Sequence, residues 1–206
     1  PATTEIYTLP LHAALPFWSN QRSVFHYAAA AGLNTAAAAY HWISGLYNRS
    51  PFIAARDRHT DDVDLPIQHG HFYYVDHYPD SHLFDDAEHL RTAHRPNFLF
   101  IHPMNIDDAG HKHGLDTPQY RNSARSADII LAQYLQRWLD AGYQVLVTAD
   151  HGMNDDRSHG GILPEGHEVP LFVIGDAFSL DPDAQPKQAE ICGTVCGLLG
   201  VPHDKP

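Results

Sequence analysis

The sequence predicts an α/β fold, a mostly parallel sheet with helices on both faces. Three observations carry that expectation. Short apolar runs, "TAAAAY", "NFLFIHP", "QVLVTAD" and "VPLFVIG", have the length and continuity of strands buried on both sides. Stretches of helical period separate them. No internal repeat and no low-complexity linker interrupts the alternation.

Taken in order, "NQRSVFHYAAAAGLNTAAAAY" reads as a helix, a stop at Gly32, and a strand from Thr35 to Tyr40, although its alanines would also suit a helix. The aromatic-rich stretch 41–79 has no clear period and is expected as a lid or substrate-pocket insertion. "SHLFDDAEHLRTAH" is helical and ends before Pro96, since proline disfavours helix in the residue before it. "NFLFIHP" is a strand. The clearest helix is "TPQYRNSARSADIILAQYLQRWLDAG", with Thr117 as N-cap, Pro118 in the first turn and Gly142 as the stop. Its expected apolar stripe is Tyr120, Ala124, Ala127, Leu131, Tyr134 and Trp138. "QVLVTAD" and "VPLFVIGDAF" are strands. "KQAEICGTVCGLLG" closes the chain as a helix whose Cys192 and Cys196 share a stripe with Leu199, which reads as packing rather than redox chemistry. The whole, 1–206, is expected to form one domain.

Composition narrows the function. At 206 residues and 43% hydrophobic, the chain can bury a core and is not a disordered segment. No apolar run is long enough to cross a bilayer, and no leader is visible, which tilts the expectation away from membranes and toward the cytoplasm. A net charge of −12 without a long basic run excludes a nucleic-acid duplex held by a basic surface. A small anionic substrate stays open if metal ions invert the local field. Most of the 17 histidines read as surface residues, so only those at defined spacings argue for chemistry.

Two strands end in polar clusters, at the edge where ligands bind in α/β sheets. "NIDDAGHKHG" follows the first, and its Asp107 and His111 are expected to flank a tight turn permitted by Gly110. "ADHGM" ends the second, with Asp150 and His151 adjacent. Parallel strands would bring both to one edge. Carboxylate oxygen and imidazole nitrogen ligate zinc and related divalent ions, and two such groups suggest two ions. Ions about 3.5–4 Å apart clamp attacking and leaving oxygens in phosphoryl transfer. Singly, Asp-Asp-Ala-Gly is an ordinary turn and Asp-His-Gly a solvated strand end; their order, each after a strand, points to a site.

These residues resemble the alkaline phosphatase superfamily, and most of all its nucleotide pyrophosphatase/phosphodiesterase branch. That family's D-x-x-G-H-x-x-G is matched by Asp107, Gly110, His111 and Gly114, and its D-H-G-M by Asp150, His151, Gly152 and Met153. A later His-Gly is matched, more loosely, by His159-Gly160. The resemblance implies that Asp107, His111 and His159 bind one divalent ion and Asp150 and His151 another, zinc or else manganese. His159 is preferred to His167 because following glycines would let backbone pack beside an ion. His102 and His113 match no ligand and are assigned surface or supporting roles. Two further parts of the family's site, an Asp on the first strand and a Thr or Ser nucleophile, fall upstream of the matched segments. Thr3, Thr4 and Thr8 follow no recognisable Asp-bearing strand, so the fold is expected to be alkaline-phosphatase-like and incomplete at its N-terminus.

The implied function is a metal-dependent hydrolase of phosphodiester or nucleotide pyrophosphate bonds, acting on a small phosphate-containing substrate such as a nucleotide. The alternatives are a phosphomonoesterase, phosphonate hydrolase or phosphomutase of the same superfamily, or a non-catalytic metal-binding fragment. The 206-residue chain is expected to hold at most one ion firmly and to turn over little. Trp42, Tyr47, Phe72, Tyr73 and Tyr74 are candidates to stack on a base, with core packing the commoner role for each. His69 and His71, with no partner ligand evident, read as structural or surface residues. Oligomeric state is left open.

Overall fold

The computed structural model describes residue 19 and residues 21–160, 163–179, 181 and 183–206. Thr3, Thr4 and Thr8 lie outside the described residues. The architecture is α/β. The chain runs through α1 (Val24–Ala30), β1 (Thr35–Tyr40), α2 (His41–Tyr47), α3 (Ala54–Asp57), β2 (His59–Asp61), β3 (His69–Tyr73), α4 (Asp80–His94) and β4 (Phe98–Ile101). It continues with α5 (Asn105–His113), α6 (Pro118–Asp140), β5 (Val145–Thr148), α7 (Pro164–His167), β6 (Leu171–Ile174) and α8 (Ile191–Leu198).

The main sheet has the order β2-β3-β1-β4. β1 pairs in parallel with β3 and β4, and β2 adds to β3 as an antiparallel edge. Every residue of β1 is buried. Alternation then divides its alanines between two cores. Ala36, Ala38 and Tyr40 meet Leu83, Ala87 and Leu90 of α4. Ala37 and Ala39 meet Phe25, Ile67 and Phe72 on the other face. The small side chains let both layers approach the central strand, which is how an alanine run that would suit a helix serves as a strand. Of the stretch 41–79, read as a lid or insertion, His69–Tyr73 is this inner strand, with Phe72 and Tyr73 in the core. That part is sheet, not lid, and neither ring is free to stack on a base. Trp42 and Tyr74 remain exposed.

The helix α6 begins as expected: Thr117 Oγ1 accepts from Tyr120 N at 3.3 Å, and Gly142 beyond its end takes φ +87°. Its C-terminal half packs through Tyr134 and Trp138 on Phe84 of α4. Ala124, placed in the apolar stripe from its spacing, is exposed. Cys192 and Cys196 pack with Val24 and Tyr27 of α1, so the α8 stripe is a packing face.

Two expectations change. β5 does not join the main sheet: it pairs with β6 in a separate antiparallel ribbon. The residues after β4 form no tight turn. They form the helix α5, with Gly110 buried inside it. The acidic first turn (Asp107, Asp108) and basic last turn (His111, Lys112, His113) complement the helix dipole, and Gly114 leaves the helix at φ +91°.

Candidate metal centre

Helical geometry places Asp107 and His111, four residues apart, on one face of α5. His111 Nε2 lies 3.4 Å from Asp107 Oδ1. The loop after β5 arrives from the other side and sets His151 Nε2 at 3.9 Å from the same oxygen and 3.6 Å from Asp150 Oδ2. The His159 ring stacks on His151 with centroids 3.7 Å apart and lies 5.2 Å from the His111 ring. Ligand-capable atoms of Asp107, His111 and His159 all fall within 4.8 Å of one another. His167, the alternative third histidine, closes α7 and is not in that group.

The glycines of both motifs are explained by how these segments meet. A Cβ on Gly110 would come 2.7 Å from Met153 Cε, so the bare glycine admits the buried Met153 against α5. A Cβ on Gly152 would come 1.9 Å from the Glu165 carbonyl oxygen, and Gly152 N donates to Gly166 O at 3.0 Å. Gly152 therefore locks the Asp150-His151 loop to α7. Among the described residues, a Cβ on Gly160 would meet Ser158 Oγ alone, at an ordinary 3.7 Å. Proximity to Asp107 and His111 is what places His159 in the group.

Tautomers are set by the backbone. His111 Nδ1 lies 2.7 Å from Arg157 O, and His151 Nδ1 lies 2.8 Å from Gly152 O. A carbonyl only accepts, so each Nδ1 donates to it and Nε2 is the nitrogen turned toward Asp107. Among the described residues, Asp107 Oδ1 is buried and has no hydrogen-bond partner. An orphaned buried carboxylate oxygen is costly unless something positive meets it. A divalent cation fits: the donors are oxygen and imidazole nitrogen, with tautomers already correct.

His102, assigned a surface or supporting role, sits just after β4 with Nε2 3.8 Å from Asp150 Oδ2, beside a candidate ligand. Its proximity pulls the Asp150 carboxyl down to about 2, with His151 contributing further. Tyr73 OH donates to His102 O at 2.7 Å and ties this corner to the main sheet. The signal was available, because His102 is the first polar residue after an apolar strand. The Arg157 carbonyl had no sequence signal. Burial, and after it the neighbouring His151, lowers the His159 imidazole below its ordinary value. His113 is exposed at the end of α5.

A family described as type I phosphodiesterase / nucleotide pyrophosphatase matches residues 2–163, a span that contains all five candidate ligands. The chain is also similar to GPI ethanolamine phosphate transferases. The Aspergillus fumigatus transferase 2 is 28% identical over 151 residues, covering 58% of this chain and 19% of that protein. The Schizosaccharomyces pombe transferase 2 is 24% identical over 143 residues, covering 59% and 19%. The catalytic subunit of human transferase 3 is 28% identical over 109 residues, covering 50% and 10%. The chain spans about a fifth or less of the length of these curated relatives. It belongs to the type I phosphodiesterase / nucleotide pyrophosphatase family, within the alkaline phosphatase superfamily.

Proposed function

We propose that this chain carries the metal-holding part of an enzyme that breaks or transfers phosphodiester or pyrophosphate bonds on a small phosphate-containing substrate. Asp107, His111 and His159 hold one divalent ion, zinc or manganese, and Asp150 and His151 hold a second. The observation that carries the reading is Asp107 Oδ1: buried, without a hydrogen-bond partner among the described residues, and faced by the Nε2 atoms of His111 and His151. Bound ions would supply positive charge against the phosphoryl oxygens. The residues themselves fix geometry. The Arg157 and Gly152 carbonyls hold the two imidazoles in one tautomer, and His102 keeps the Asp150 carboxyl ionised.

Transfer of a phosphoethanolamine group, rather than hydrolysis, is the second reading. It is favoured by the relatives, which are named GPI ethanolamine phosphate transferases. Titration calorimetry with zinc tests the proposal. Zinc should bind the wild-type chain, and one of its binding steps should weaken at least about 100-fold on Asp107→Ala. Added inorganic phosphate should tighten zinc binding in the wild type only. A preference for phosphoethanolamine over AMP as the added ligand would favour transfer. Zinc binding unchanged by Asp107→Ala would reject the site.

A further inference from the structure

At the opposite edge of the main sheet, three residues that the phosphoryl site does not use converge. Parallel pairing puts the C-terminal ends of β1, β3 and β4 at the edge where His102 lies. His69 opens β3, paired with Ala36 near the start of β1, and so lies at the other edge. α4 runs back across the sheet and delivers its last residue, His94, to that same edge. Asp61 is the cross-strand partner of His69 in the β2–β3 register.

We propose that Asp61, His69 and His94 form a second divalent-cation site, suited to zinc and related borderline ions and separate from the phosphoryl site. Their ligand-capable atoms all lie within 4.8 Å of one another. His69 is only 7% exposed, and its Nδ1 lies 2.8 Å from Asp61 Oδ1. The His94 ring stacks on His69 with centroids 3.7 Å apart and planes 16° from parallel. One carboxylate oxygen and two imidazole nitrogens are the donor set of a three-ligand zinc site with an open position. A tetrahedral zinc with bonds of about 2.0–2.1 Å separates neighbouring ligand atoms by about 3.3 Å. Cation entry therefore opens the Asp61–His69 pair slightly and requires no refolding.

The scaffold is rigid where a site needs it. Asp61 and His69 are fixed by strand pairing. The end of α4 is held by Asn34 Nδ2, which donates to His94 O at 2.7 Å, and the chain turns away at Arg95 with φ +49°. The Asp61 side chain is 75% exposed, so an ion enters directly from solvent.

The test uses the full chain with the phosphoryl site disabled by Asp107→Ala, His111→Ala, Asp150→Ala and His151→Ala, titrated with cobalt(II) chloride and then zinc chloride. The proposal expects about one equivalent of metal to remain bound, with the strong visible absorption of low-coordinate cobalt that zinc then displaces. Adding His94→Gln should weaken that binding at least about 100-fold. Asp61→Asn changes an exposed side chain and should weaken it too, which guards against a variant that merely misfolds. Circular dichroism confirms the fold of each. No bound cobalt in the disabled background, or affinity unchanged by both substitutions, overturns the proposal. The outcome is independent of the phosphoryl site, because that site is absent from every protein compared.

Discussion

Gly152→Ala is a sharp probe of how the loop after β5 is held. The added methyl would sit 1.9 Å from the Glu165 carbonyl oxygen, against an ordinary contact of 3.4–4 Å. One backbone must retreat by more than an ångström, because a carbonyl cannot rotate aside as a side chain can. Forced overpacking costs about 1–3 kcal/mol. The retreat also weakens the 3.0 Å bond from Gly152 N to Gly166 O, and losing it costs about 1 kcal/mol. The expected destabilisation is therefore about 2–4 kcal/mol. Gly110→Ala is the control, since its methyl meets side chains rather than backbone: the flexible end of Met153 at 2.7 Å, with Met153 Cγ and Tyr120 Cε2 each at 3.2 Å. It should cost less than about 1.5 kcal/mol. Urea unfolding followed by tryptophan fluorescence measures both, and zinc affinity should fall more for Gly152→Ala, which displaces Asp150 and His151. A Gly152→Ala protein within about 0.5 kcal/mol of wild type, or one hurt less than Gly110→Ala, would refute the reasoning.

Three other substitutions test separate parts of the account. Burial pushes Asp80 up to about 6, so the folded state holds its proton more tightly than the unfolded chain, whose value is 3.8. Stability is then full below that lower value and drops by about 3 kcal/mol as pH rises through about 6. Asp80→Asn should remove that slope in urea titrations from pH 4 to 7; an unchanged slope would place its origin elsewhere. Glu88 is the reverse case: Arg91 Nε at 2.7 Å, with Trp138 Nε1 at 3.0 Å, holds its carboxyl at about 2, against 4.5 in the unfolded chain. Its contribution is present above 4.5 and is lost as pH falls toward 2. Glu88→Gln should cost about 1–3 kcal/mol at pH 7, and loss of less than about 0.5 kcal/mol would remove the α4–α6 bridge from the ledger. His102→Ala should let the Asp150 carboxyl rise from about 2 toward the ordinary 3.8, read by carbon NMR in metal-free protein; a carboxyl that stays low would assign its stabilisation to His151 and the backbone N–H that Asp150 accepts from.

The fold was legible where the signals are local. Apolar runs marked β1, β4, β5 and β6, and Thr117, Pro118 and Gly142 marked the ends of α6. Which strands share a sheet is a non-local choice, and a short apolar run looks the same in the main sheet as in the β5–β6 ribbon. Asp107 to Gly110 read as a turn because Asp and Gly favour turns. The competing signal was the acidic start, the basic end and the terminal Gly114 of α5. Gly110 is needed for Met153, a contact between residues far apart in the chain. Motif spacing singled out Asp107, His111, Asp150, His151 and His159, which the fold brings together, whereas the imidazole tautomers depend on backbone carbonyls that any residue would offer. His69 looked unpartnered because Asp61 lies across a hairpin and His94 at the far end of a helix.

Anomalous diffraction from crystals of the chain grown with zinc tests the central claim most directly. The account predicts a zinc peak within about 2.0–2.2 Å of Asp107 Oδ1 and of an imidazole nitrogen of both His111 and His159. Zinc bound elsewhere on the protein, with Asp107 turned away to a hydrogen-bond donor and no peak among these three residues, would contradict it.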